Sequence, residues 1–460
     1  MTAVYTMTKH FHLLFLFVSI AGIGFSASAI ELIDTFKTDA SVYRVFPEKT
    51  EREKTVKSTK LIGMNVPDSL LKSTSDSAYA MIGKFYADQF RNFQDPRAPY
   101  FMFMSKNADL AMGIGGVVRM RGWFDWNGTI PVNGFSPYFI QIPKDPTAKR
   151  RLDATPAGTA IFLTILAHKP WLGYLTAYIE GNFDGYEHVG FKLKKAYVTL
   201  NDITVGYAPS TFSDPASQAP TIDGAGSNGK VSRTNILVRY MHTFKNRWTI
   251  GGSFEFPKSS PDVIDGQTKK CADYVPDVAA MAQYQWDEGL SHLRLSGLLR
   301  VMSYRDLISN RNRNVVGWGA MVSGMWKVFK PLTLYGSVSV GQGHASYQGE
   351  FAAGNFDLVG DFNNPGKLYA PTSFGITAGL KYNFLYNLYA CVSLGQMQYC
   401  PKHHLSDDQY KRGLYGAVNM FWDITPRIQV GAEYLCGKRT NFNGQHANAN
   451  RVDALFQFSF

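Results

Sequence analysis

From about Ala108 to Phe460 the chain repeats one pattern: runs in which apolar and polar residues alternate, separated by turn signals. The last run is the clearest. In Arg451–Phe460 every even position is apolar and most odd positions are polar. Val118, Met120 and Phe124 likewise stand against Arg119, Arg121 and Asp125, and Leu293, Leu295 and Leu299 against Arg294, Ser296 and Arg300. Side chains alternate across a strand, so such runs predict sheets with one oily face and one wet face.

The connections alternate too. Tight joins fall at Lys169-Pro170, Asn201-Asp202, Lys245-Asn246, Glu288-Gly289, Lys330-Pro331, Tyr386-Asn387 and Thr425-Pro426. Between them lie longer polar stretches near 129–155, 208–232, 258–274, 305–312, 346–370, 400–409 and 438–447, with one short join from Asp184 to His188. Seven tight turns and eight opposite connections give about sixteen strands. Short turns at one end and long loops at the other are the signature of an outer-membrane barrel. Trp171, Trp248, Trp286, Trp326 and Trp422 all fall near the tight turns, as an interfacial girdle requires. The predicted fold is therefore an all-β, antiparallel transmembrane barrel over residues 108–460. A secreted sandwich would need neither the tryptophan rim nor the alternation in loop length.

Composition narrows the alternatives. The chain has 460 residues, 45% hydrophobic and only 18% charged, with 32 Phe, 25 Tyr and 8 Trp. That many aromatics excludes a disordered chain. Beyond the first 30 residues no run of about 18 apolar residues exists, which excludes helical spans.

The amino terminus sets the compartment. Lys9 and His10 precede an apolar run from Leu13 to Phe25, and Ala27-Ser28-Ala29 follows. This is the form of a secretory signal peptide, residues 1–29, cleaved near Ala29. Residues 30–107 read as a periplasmic arm or partial plug: a polar stretch to about 60, then a helix begun by Ser75 and Asp76, carried through Tyr79, Ile82, Phe85, Tyr86, Phe90 and Phe93, and stopped at Asp95-Pro96. Four cysteines without close pairing (Cys271, Cys391, Cys400, Cys436) form no disulfide framework and no zinc motif.

Sixteen strands leave an aqueous channel, which makes passive permeation the default function. The third long loop, Ala208 to Ser232, is long enough to fold inward and narrow the lumen, with Ser210, Asp214 and Asp223 as its candidate polar groups. Parity assigns Arg119, Arg121, Lys192, Lys194, Arg233, Arg239, Arg294, Arg300 and Arg451 to the lumen, with Asp125, Glu180, Glu255, Asp277, Glu433 and Asp453. Nine cations against six anions predict a bias toward anions. Lys195 breaks the parity and falls on the lipid face, where a mid-bilayer lysine costs about 2–4 kcal/mol. One reading is that this face meets another subunit through the first five strands.

Several motifs point elsewhere and fail on context. Gly224-Ala225-Gly226-Ser227-Asn228-Gly229-Lys230 matches a phosphate-loop spacing, but Val231 stands where Ser or Thr is required and a loop precedes it. His403, His404, Asp407 and Asp408 read as a solvated loop rather than a metal site, and no spacing aligns a nucleophile with a base. No cofactor, metal, catalytic activity or nucleic-acid partner is expected.

Specific segments resemble the DcaP-like outer-membrane porins. They are Phe191-Lys192-Leu193-Lys194-Lys195-Ala196-Tyr197, Thr204-Val205-Gly206-Tyr207, Ser210-Thr211-Phe212-Ser213-Asp214 and Pro220-Thr221-Ile222-Asp223. Val238-Arg239-Tyr240, Glu255-Phe256-Pro257, Pro276-Asp277 and the stretch from Gly341-Gln342-Gly343 to Tyr347 add to them. The resemblance implies a trimeric, sixteen-stranded porin in the outer membrane, among lipid and lipopolysaccharide. It further implies a basic constriction that favours small anionic solutes such as dicarboxylates. It would place Lys192, Lys194 and Arg239 along the pore and Asp214 and Asp223 in the constriction loop. Lysines stand on the fourth strand where the family pattern has arginines, which weakens bidentate carboxylate capture. The arm also lacks a sustained heptad. Two other functions remain open: a plugged barrel serving as a structural or adhesion surface, and a lumenal transporter with an amino-terminal hatch.

Overall fold

A computed structural model of the protein describes residues 40–46, 60–63, 101–105 and 110–460, the last apart from 170, 172, 185–189, 246, 288–289, 404–405 and 426. The expected leader and the expected helix between Ser75 and Phe93 lie outside the described residues. Within the polar stretch before residue 64, Tyr43–Phe46 pair antiparallel with Lys60–Gly63.

Sixteen antiparallel strands close into a barrel. The first five are β1 (Leu110–Trp126), β2 (Ala160–Lys169), β3 (Gly173–Asp184), β4 (Gly190–Leu200) and β5 (Ile203–Pro209). Next come β6 (Thr234–Phe244), β7 (Trp248–Glu255), β8 (Asp277–Trp286), β9 (Ser291–Asp306), β10 (Arg311–Phe329) and β11 (Leu332–Gln342). The circuit ends with β12 (Thr372–Leu385), β13 (Leu388–Cys400), β14 (Tyr410–Asp423), β15 (Ile428–Asn441) and β16 (His446–Ser459). β16 pairs back onto β1 from Asn450↔Trp126 to Ser459↔Val117, which removes the open edge. A short strand, Phe101–Ser105, pairs with the stretch of β1 before that seam, from Phe101↔Ile114 to Met104↔Ala111.

Burial follows the alternation. On β16, Arg451, Asp453 and Leu455 are buried inside while Val452 and Phe456 are exposed outside. Trp171, Trp248, Trp326 and Trp422 are exposed at the tight-turn end.

One strand departs from simple parity. Glu180 of β3 faces Lys195 of β4, but the next residue, Gly181, faces Leu193, so Lys194 is an extra residue in a β-bulge. The unpaired residue leaves its neighbours in step with β3 but shifts the odd and even count along the sequence, so parity counted across it assigns the wrong face. Phe191, Leu193 and Val198 are exposed outside, whereas Lys195 comes within 3.8 Å of the inner carboxylate of Glu180 and is 12% exposed. The lipid-facing placement of Lys195 is thus corrected, and with it goes the reason for expecting subunit contact at that point.

Candidate functional site

The chain leaves β5 at Pro209 and returns to β6 at Thr234, and the loop between them lies against the inner wall. Ser210 donates to Glu255 of β7 at 2.8 Å, and the Thr211 amide donates to the same carboxylate oxygen at 2.9 Å. Asp214 accepts from Ser323 of β10 at 2.6 Å and meets His292 of β9 at 2.8 Å. Gln218 then reaches Ser337 of β11 and Thr377 of β12. Glu433 of β15 accepts the amides of Ile222 and Asp223 at 2.9 and 2.7 Å. Arg121 of β1 donates to Asp223 at 2.6 Å. The segment therefore follows the wall from β7 around to β1. Burial pushes the Asp214 carboxyl up, but Arg294, His292 and Ser323 together hold it below the usual carboxylate range.

The turn that resembles a phosphate loop has a structural use instead. Asp223 fills its own turn, its carboxylate accepting the amides of Ala225 and Gly226 at 3.1 Å each. Gly229 lies directly on β12 and β13: a Cβ there would collide with the carbonyl of Ile376 and crowd that of Gln396. A glycine is needed because loop and wall backbones touch.

The predicted lumenal cations divide into two groups. Arg121, Arg239, Arg294 and Arg300 are buried rather than open to water. Arg121 also meets Asp453 at 3.3 Å and donates to the carbonyl of Asn133 in the first loop. Arg239 donates to the Pro209 carbonyl at 3.1 Å, at the root of the third loop. Arg294 grips Gln283 and donates to the Ser213 carbonyl at 3.0 Å. Arg300 lies 3.2 Å from Asp357 and 3.4 Å from Asp277. Arg119 is half-buried and donates to the Ile222 carbonyl at 2.6 Å.

The second group sits on β4. Lys192 is exposed, and the Lys194 side chain is 40% exposed with its ammonium 3.1 Å from Glu180. Glu180 is buried and also accepts from Tyr178 at 3.0 Å. Three lysines and one carboxylate thus meet on the β3–β4 hairpin.

Sequence reasoning missed that other loops enter the barrel. The sixth, residues 343–371, brings Tyr347 onto Asp277 at 2.9 Å and sends Gln348 to Ser373 at 2.8 Å. Its Glu350 accepts from Asn228 of the third loop at 2.7 Å and from Tyr410 at 2.9 Å. Burial pushes the Glu350 carboxyl up to about 7, although those two donors pull the other way. The first loop packs Ile130, Phe135 and Ile140 against Tyr415 and Leu435. The signal was present: Phe351, Phe356 and Phe135 are large apolar residues inside stretches read as polar loops.

A sequence model of the DcaP outer membrane protein family matches residues 147–460. The chain belongs to that family. Among solved structures, this DcaP-family barrel is similar to the outer membrane channel DcaP of Acinetobacter baumannii, with 20% identity and a TM-score of 0.63, over 78% of this chain and 99% of that one. At that identity the likeness concerns the fold. OmpT of Vibrio cholerae and OmpF of Salmonella typhi match at 10% identity with TM-scores of 0.47 and 0.48, each over 76% of this chain and 98% of its own. No curated protein matches the chain by sequence. Family and fold place the protein in the outer membrane.

Proposed function

We propose that this DcaP-family protein is a diffusion porin for small hydrophilic solutes, with a preference for anions such as dicarboxylates. The observation that carries the reading is the split among its lumenal charges. Arg121, Arg294 and Arg300 are neutralised by buried carboxylates, so their fields largely cancel. On β4, Lys192 is exposed and Lys194 partly so, and with Lys195 they outnumber Glu180, the carboxylate that Lys194 and Lys195 face. The third loop covers the wall from β7 to β1, which directs a permeating solute toward the β3–β4 hairpin, with the loop as the constriction. Low-dielectric walls focus the field of the exposed charges there. The leader is taken to be removed near Ala29, and the working assembly is the homotrimer that the family resemblance implies.

The decisive measurement is the reversal potential of the reconstituted protein in a potassium chloride gradient. Chloride preference is expected; potassium preference at neutral pH would overturn the reading. One observation favours a second reading, the plugged barrel: the first, third and sixth loops all pack inside the wall. Electrical silence of folded, reconstituted protein would select it.

A further inference from the structure

We infer that the outer surface of β14 and β15 carries a binding site for the phosphates of a glycolipid headgroup in the outer leaflet. The inference rests on the barrel and its membrane, not on conduction.

Two cations stand on the outward face at the long-loop end. Arg412 faces Thr440 and Leu414 faces Lys438, so Arg412 and Lys438 are diagonal neighbours on one face, about 7–8 Å apart along the backbone. Below them the same face is apolar: Val418, Tyr434 and Val452 are exposed. Trp422, at the tight-turn rim, lies ten positions along the strand from Arg412. A tilted strand needs about 9–11 residues to cross the hydrocarbon. Arg412 therefore stands where lipid tails end and headgroups begin, with Lys438 one rung nearer the tails.

The strands around them supply no counter-charge, and Asp407 and Asp408, in the loop before β14, form no ion pair with either cation. Asp423, Glu433 and Asp453 are the carboxylates of β13 to β16, and all three are buried on the inner side. Among the described residues, neither Arg412 nor Lys438 has a hydrogen-bond or ion-pair partner. The neighbours on the outward face are neutral and polar: Gln398 opposite Arg412 on β13, and Asn448 opposite Lys438 on β16. Both cations are half-buried, their stems lying along the strand while the heads reach outward.

Two uncompensated cations at a lipid boundary call for an anion that is itself part of the leaflet. A phosphate on a sugar headgroup fits. The guanidinium offers paired donors to its oxygens, the ammonium a compact second charge, and the amides of Gln398 and Asn448 suit the sugar hydroxyls.

The test uses the full mature protein in detergent, with bisphosphorylated lipid A, its dephosphorylated form and inorganic phosphate as probes. Lipid retention is counted by native mass spectrometry. Wild-type protein should retain the bisphosphorylated form about tenfold better, roughly one decade in affinity. Arg412→Gln with Lys438→Gln should abolish that preference. Lys269→Gln, which removes an exposed cation from the outer segment Thr268–Lys270, should leave it intact. Retention of the preference in the double variant, shown to be folded by its heat-modifiable band, would overturn the proposal. Equal retention of the two lipids by wild type would do the same. Displacement of the lipid by millimolar inorganic phosphate would identify a free-anion site and overturn the assignment to the leaflet.

Discussion

Arg121 and Asp223 are 102 residues apart in sequence and 2.6 Å apart across the barrel interior, both buried. Removing one partner of such a pair typically costs about 3–5 kcal/mol where the other charge is stranded, and less here because Arg121 keeps Asp453 at 3.3 Å. Asp223→Asn should therefore lower the thermal unfolding midpoint and release the third loop from β1. The accompanying electrical signature is a larger or noisier single-channel current. A variant with unchanged current and unchanged midpoint would show that the pair does not fasten the loop.

Gly229 tests the same loop from the opposite wall. Gly229→Ala places a methyl against the Ile376 carbonyl, so the loop must lift from β12 and β13 while the barrel itself still closes. Protease sensitivity between β5 and β6 should rise, with the heat-modifiable band retained. Wild-type resistance would mean that the backbone contact is not needed.

The charges on β4 decide selectivity. Lys192→Gln with Lys194→Gln should move the reversal potential toward the cation side. Glu180→Gln should move it the other way, because it removes the carboxylate that Lys194 faces at 3.1 Å. Arg294→Gln should change stability far more than selectivity, since that guanidinium is already matched by Asp214 and Gln283. If Arg294→Gln shifted the reversal potential more than the lysine pair, this division would be wrong.

Glu350 gives a pH dependence of known sign. Its folded-state pKa is raised by burial from 4.5 to about 7, so the native state holds the proton more tightly than the unfolded chain. Its contribution is full below about pH 4.5 and is lost as pH rises to about 7. The contact between the third and sixth loops should therefore loosen from pH 5 to pH 8, as measured by hydrogen exchange at residues 226–230. Glu350→Gln, which cannot ionise, should flatten that trend; the same slope in both proteins would assign the effect to another group.

The amino-terminal segment has its own test. Deleting residues 31–95 from the mature protein should leave conductance and selectivity unchanged if the segment is a periplasmic arm. A large rise in conductance would assign it to the lumen as a plug.

The barrel was legible in the sequence because a membrane wall must obey period two over long runs, as Arg451–Phe460 does. The lumenal faces of Arg121, Arg294 and Arg300 followed from the same rule. Their partners did not, because Asp214, Asp223 and Asp357 sit in loops, where no periodicity relates sequence position to place. Lys195 was misplaced for a related reason: parity counts residues, and one unpaired residue at Lys194 changes the count without altering composition. Glycines 224, 226 and 229 carried a spacing that suggested a nucleotide cradle, whereas at least Gly229 answers to close backbone approach. The inward packing of the sixth loop escapes the pattern because its polar residues outnumber Tyr347, Phe351 and Phe356.

The bulge on β4 also bears on how such barrels diverge. One added residue is taken up at Lys194 while β3 stays paired on one side and β5 on the other, so the residues before and after it keep their faces. Losing Lys194 would leave Leu193 opposite Gly181 and Lys195 opposite Glu180, so Lys192 would still face the water path and Leu193 the hydrocarbon. A single codon gained or lost at this point can therefore add or remove one cation beside Glu180 in one evolutionary step while the rest of the lining keeps its place.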